Sequence, residues 1–240
     1  MPDATWQDLC IDALDPAALG AFWAPVTGLE LVIDERGNVH LQGPTPRHRI
    51  WVNEVDRPKT VKNRLHLDVD TGSIDELVAL GASVLAPAEE TGFGWTVMAD
   101  PEGHEFCAFV REPDALPAYR LHGIGIDCVD AERVARWWGE RFGVEPRTYE
   151  GHDWWTLEGV AVDERMTLDF APVPEPRSGP NRVHWDVVGR VDDFLAAGAT
   201  HLWDTDRWTV LADPEGNEFC VFAPPEGSGG SGDAAAGSAG

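Results

Sequence analysis

From Arg64 to Val69 the side chains alternate in character. Arg64, His66 and Asp68 fall on one face of an extended chain, and Leu65, Leu67 and Val69 on the other. Residues 182–187, RVHWDV, repeat the alternation with Val183, Trp185 and Val187 as the apolar set. Both segments read as strands with one face in a core. Buried polar groups cost free energy when unpaired, so the opposite face needs partners or a wet cavity. A different period governs residues 15–28. There Asp15 and Pro16 read as an N-cap and first helical residue, Leu19, Phe22 and Trp23 form an i, i+3, i+4 stripe, and Gly28 ends the helix. Asp130, Val134, Trp137, Trp138 and Gly143 repeat that scheme.

Short extended pieces follow the first helix: LELVID, NVHLQ and RIWVNEV, separated by turn signals such as Glu35-Arg36-Gly37-Asn38. The strand at 64–69 leads into a capping box, Ser73-Ile74-Asp75-Glu76, a short helix to Gly81, and strands near 83–87, 95–99 and 104–110. Asp100-Pro101-Glu102-Gly103 predicts a tight turn between the last two. The unit is βαβββ, and the chain writes it repeatedly. WTVMADPEGHEFCAF at 95–109 returns as WTVLADPEGNEFCVF at 208–222, KNRLHLDV at 62–69 as PNRVHWDV at 180–187, and residues 10–30 more weakly as 125–145. A tandem duplication accounts for all three. The expectation is an α+β protein of four βαβββ units in two domains, 1–113 and 118–224, joined through the Pro- and Ala-rich EPDALPAY. A flexible low-complexity tail over 225–240 follows.

Composition narrows the partners. Eighteen Lys and Arg against 42 Asp and Glu give a formal charge of −24, which opposes nucleic acid and anionic membranes and favours a cationic small molecule. No apolar run is long enough for a membrane helix, and the first residues, MPDATWQDLC, do not read as a secretion signal, so a cytoplasmic protein is expected. Four cysteines without CxxC spacing read as reduced thiols.

The paired βαβββ units, the strand NR(L/V)H(L/W)D and the ADPEG turn before the last strand together resemble the vicinal oxygen chelate superfamily of glyoxalase I, bleomycin-resistance proteins and extradiol dioxygenases. The resemblance covers residues 5–223. It implies that each pair of units curls into an open barrel-like sheet around a cavity, with helices outside. In metal-using members that cavity holds a divalent ion bound by His, Gln or Glu from strands of both units. His66 and His184 match one ligand position, but the last-strand carboxylate is replaced by Cys107 and Cys220. The opening strands offer Asp8 and Gly123, and the closing strands of the first units offer Asn53 and Ala171. A thiol is not the hard donor that Mg, Mn or Fe(II) prefers. The metal candidates are therefore His66, Asp8, Cys107 and His184, with Asp8, Asn53, His66 and Cys107 as the set available to residues 1–113. The simpler reading of His66 and His184 is as structural histidines tied to Asp68, Asp186 or nearby backbone.

Trp95 and Trp208 recur where the closing hairpin begins and are candidate pocket walls for stacking or cation–π contact. His66, His184, Asn53, Arg64 and Arg182 are further candidate ligand contacts, although the two arginines suit better a role bracing the strand entrances against acidic neighbours. Glu105 and Glu218, on the faces of Cys107 and Cys220, are candidate general bases. Two functions follow: a protein binding a small molecule in an aromatic-lined cavity with a degenerate metal site, or a metal-dependent lyase, isomerase or dioxygenase acting from residues 1–113. The duplication suits a monomer that is internally a pseudo-dimer.

Overall fold

The structure of the chain, a computed structural model, describes residues 2–225. All but the first residue of the 225–240 tail lies outside the described residues. The first unit runs β1 (Ala4–Ala13), α1 (Pro16–Thr27), β2 (Glu30–Ile33), β3 (Val39–Gln42) and β4 (Ile50–Glu54). The second runs β5 (Leu65–Thr71), α2 (Ile74–Ala79), β6 (Ser83–Ala86), a short α3 (Ala88–Thr91), β7 (Thr96–Ala99) and β8 (Glu105–Val110). The third comprises β9 (Leu121–Cys128), α4 (Ala131–Phe142), β10 (Trp155–Glu158) and β11 (Thr167–Pro172). The fourth comprises β12 (Val183–Gly189), α5 (Val191–Ala196), β13 (Thr200–Asp204), β14 (Thr209–Ala212) and β15 (Glu218–Phe222). The four-unit plan holds. In the third unit, however, the strand expected after the helix shrinks to a single bridge, Arg147 with Thr156, in a stretch broken by Pro146 and Gly151.

The helix signals act as read. The Asp15 carboxylate accepts the Ala18 N–H at 3.0 Å, and Asp130 does the same for Arg133 at 3.1 Å. Gly28 closes α1 in the left-handed region at φ 73°, where a Cβ would also stand 1.9 Å from the Ala118 carbonyl oxygen. The repeated ADPEG turn is a clasp. Asp100 Oδ1 accepts the backbone N–H groups of Glu102 and His104, while its Oδ2 accepts the Trp23 indole N–H at 3.0 Å. Glu102 then reaches back to the start of α1, accepting the N–H groups of Leu14 and Asp15 at 2.7 and 2.9 Å. Asp213, Glu215 and Trp138 repeat this arrangement at α4. The motif recurs because each helix needs the same clamp.

Two open sheets result. One is ordered β13-β14-β15-β12-β1-β4-β3-β2 and the other β10-β11-β9-β5-β8-β7-β6. Each joins one unit from either half of the chain. The seams are antiparallel, β1 with β12 (Ala4 opposite Gly189 through Ile11 opposite Val183) and β5 with β9 (Leu65 opposite Ile126 through Val69 opposite Leu121). One continuous core lies behind both sheets. Trp23 packs on Phe106 at 5.2 Å in one half, and Trp138 packs on Phe219 at 4.8 Å in the other. Leu65, Leu67, Val69, Val183, Trp185 and Val187 all point into it, as their alternation requires. Among the described residues no helix is long and apolar enough to cross a membrane.

Candidate functional site

The face of each sheet opposite the core borders a cavity in which polar side chains of the seam strands meet aromatic walls. On the first sheet the cavity measures about 470 Å³. Strand alternation turns Asp8, Cys10 and Asp12 of β1 toward it, with His184 and Asp186 of β12, Cys220 of β15, and Trp51 and Asn53 of β4. Across the seam Asp8 lies opposite Asp186 and Cys10 opposite His184. Cys10 Sγ is 3.6 Å from Asp186 Oδ2, His184 Nε2 is 3.6 Å from Asp186 Oδ1, and Cys220 Sγ is 3.6 Å from His184 Nε2. Trp51 donates its indole N–H to Asp8 Oδ2 at 3.1 Å. Asp8 Oδ1 and Asp186 Oδ1 have no hydrogen-bond partner, although each residue is only 3% exposed.

That crowding sets the protonation states. Burial, followed by the neighbouring Asp8, pushes the Asp186 carboxyl well above its usual range, and burial raises Asp8 as well. Burial and then Asp186 raise both thiols, while burial alone lowers the His184 imidazole to about 4. Burial at this seam thus favours the uncharged form of every one of these groups, carboxyl, thiol and imidazole alike.

The second sheet carries the larger cavity, about 820 Å³. His66 and Asp68 of β5, Cys107 of β8 and Asp169 of β11 face into it. Opposite Asp68 and His66, where the first sheet has Asp8 and Cys10, stand Gly123 and Gly125. A Cβ on Gly125 would come 2.2 Å from His66 Nε2, so the imidazole occupies the space that a side chain would fill. Burial raises Asp68 to about 6, with His66 pulling the other way, and burial followed by Asp68 raises Cys107. An aromatic rail forms one wall. Phe93 stacks on Trp95 at 4.8 Å and 10°, Trp95 meets Phe109 at 5.4 Å, and Phe109 meets His122 at 4.7 Å. Tyr149, His152 and Trp154 also line the cavity. At its margin Asp70 gathers Arg111, Arg165 and His122 at 2.6, 2.8 and 3.2 Å.

Several sequence expectations change. Asp8, Asn53, His66 and Cys107, expected as one donor set within 1–113, are divided: the first two line the first cavity and the others the second. The cause is strand pairing, because β1 joins β12 rather than β5. Arg64 and Arg182 line neither cavity. Arg64 donates to the Glu175 carbonyl, and Arg182 to that of Arg57 at 2.6 Å, which is the bracing role. Glu105 pairs with Lys59 at 2.6 Å and Glu218 with Arg177, and each also accepts a backbone N–H, from Asn63 and Asn181, at the strand entrances. Trp95 and His66 line the second cavity; Trp208, His184 and Asn53 line the first. The sequence reading passed over Cys10, although alternation along β1 places it beside Asp8, and it missed Asp169, Phe93, Phe109 and Trp51.

The hard-donor ion that the resemblance implies fits neither sheet. On the second sheet two of the four positions, Gly123 and Ala171, have no donor atom. On the first, a thiol stands where a carboxylate is required, and Trp51, an N–H donor, fills space beside Asp8.

A family model described as glyoxalase-like domain matches residues 8–109 and again 123–222. No curated protein matches the chain. Glyoxalase I from Zea mays shares the fold with a TM-score of 0.62 and 13% identity over 92% of each chain. A putative dioxygenase from Bacillus subtilis shares it with a TM-score of 0.59 and 16% identity, covering 93% of this chain and 86% of its own.

Proposed function

Because the chain belongs to the glyoxalase-like domain family, whose fold supplies cavities without dictating a reaction, we propose that it binds a flat, cationic small molecule in the cavity of the second sheet. The observation that supports this is the aromatic rail facing uncompensated carboxylates. Of the acids around that cavity, Glu105, Asp127 and Glu158 pair with Lys59, Lys62 and Arg147. Asp68, Asp153 and Asp169 have no Lys or Arg partner among the described residues. Asp169 instead accepts the hydroxyls of Thr156 and Thr167 at 2.6 and 2.5 Å. A planar cation stacked along Trp95 gains both the ring quadrupole and these charges. The volume suits a drug-sized ligand. The alternative, a metal-dependent enzyme working from residues 1–113, needs Asp8 and His66 in one cavity, and they lie in two.

Calorimetric titration with an acridinium-type cation and with a planar anion of the same size tests the reading. The cation is expected to bind at least about tenfold more tightly, and Trp95→Ala to weaken it by about tenfold, as the loss of roughly 1.4 kcal/mol of cation–π contact would do. Equal binding of the anion, or no effect of Trp95→Ala, would sink it.

A further inference from the structure

The two cavities differ in charge along their matching strands β4 and β11. On the first sheet Trp51 lies opposite Cys10 and Asn53 opposite Asp12, with Arg49 at the edge of the same cavity. On the second sheet Asp169 lies opposite Gly125 and Ala171 opposite Asp127, and Thr167 takes the place of Arg49. The second cavity therefore has no arginine where the first has one. Arg49 makes no ion pair among the described residues, and its buried Nε has no hydrogen-bond partner. Its guanidinium lies over the Trp51 ring, 5.3 Å from the centroid, while the indole N–H of Trp51 goes to Asp8 Oδ2 at 3.1 Å. One side chain thus carries a cation against its face and a carboxyl at its edge. Across the seam from Asp8 stands Asp186. Asp8 Oδ1 and Asp186 Oδ1 receive no N–H donor, although each residue is only 3% exposed. Unpaired buried polar groups cost free energy, which a ligand that pairs them recovers.

We propose that the first cavity binds a small zwitterion of the α-amino-acid type, its ammonium at Asp8 and Asp186 and its carboxylate on the Arg49 guanidinium. An ammonium has three N–H donors, enough for both orphaned carboxyl oxygens, and the planar arginine fork matches a carboxylate. Charge decides the class of ligand. A lone cation would face Arg49 and a lone anion would face Asp8 and Asp186, whereas a zwitterion answers both and adds no net charge. Trp208 and Phe222, whose rings meet at 5.4 Å, give the cavity an apolar end for the ligand's side chain. A volume of about 470 Å³ accommodates an aromatic amino acid.

The test follows L-4-fluorophenylalanine by fluorine NMR as the full chain is titrated. The expected result is saturable binding at about millimolar ligand or below, reversed by L-phenylalanine. Phenethylamine, which lacks the carboxylate, and 3-phenylpropionate, which lacks the ammonium, should each displace the probe at least about tenfold less effectively. That comparison is made on the wild-type chain and needs no variant. Arg49→Gln and Asp8→Asn should each weaken binding by at least about tenfold, with circular dichroism confirming the fold. No binding at millimolar probe, equal displacement by either singly charged analogue, or unchanged affinity in either variant would overturn the proposal. Displacement reports only on the site that the fluorinated amino acid occupies, so failure here leaves the reading of the second cavity standing, and the reverse.

Discussion

Asp68 shows how one buried carboxyl can tie stability and ligand affinity to pH. Burial holds it near 6 in the folded chain, against an ordinary value of 3.8. Between those two values the folded chain keeps a proton that the unfolded chain has lost. The stabilisation is therefore full below about 3.8, falls as pH rises toward 6, and is gone above it, a change of up to about 3 kcal/mol. Asp68→Asn cannot titrate, so denaturant unfolding should show this variant more stable than wild type at pH 7 and nearly equal to it at pH 4. The same proton opposes a cationic ligand, which must displace it at low pH. Affinity for the acridinium probe should climb between pH 5 and about 6 and then level off, and in Asp68→Asn the rise should disappear. An affinity that fell over this range would place the cation elsewhere.

At the scale of the element, the ADPEG clasp decides how each long helix is seated. Glu102 supplies both carboxylate oxygens to the two N–H groups that open α1, and these are charge-assisted bonds on a partly exposed surface. Glu102→Ala should lower the unfolding free energy by about 1–2 kcal/mol, visible as a lower urea midpoint at unchanged slope. Glu215→Ala should do the same through α4. The clasp, the caps and the strands were legible because each is local: Asp15, Ser73 and Gly28 announce their conformations within a few residues. Strand partnership was not. The alternation in β5 and β12 says which face is buried but not which neighbour lies alongside, and both strands carry the same Asn-Arg, His and Asp pattern. β1 could have met either, so Asp8, Asn53, His66 and Cys107 read as one donor set although they line two cavities. Cys10 was legible by the alternation that exposed Asp8; the aromatic rail was not, because Phe93 and Phe109 meet Trp95 only after the hairpin closes.

Over the whole molecule, the crossing of units between sheets means that neither half of the chain completes a sheet by itself. Residues 1–113 alone would leave β1 and β5 as bare edges, with Leu9, Ile11, Leu65 and Leu67 behind them half covered. Because β1 and β9 are copies, as are β5 and β12, the open edge of β1 in one fragment matches that of β5 in another. Two fragments can thus close two equal sheets by the antiparallel pairings of the intact protein. The fragment should sediment as a two-fold dimer with concentration-dependent unfolding, whereas the intact chain, already closed on itself, should sediment as a monomer. A fragment that stayed monomeric and unfolded cooperatively would contradict this reading of the seams.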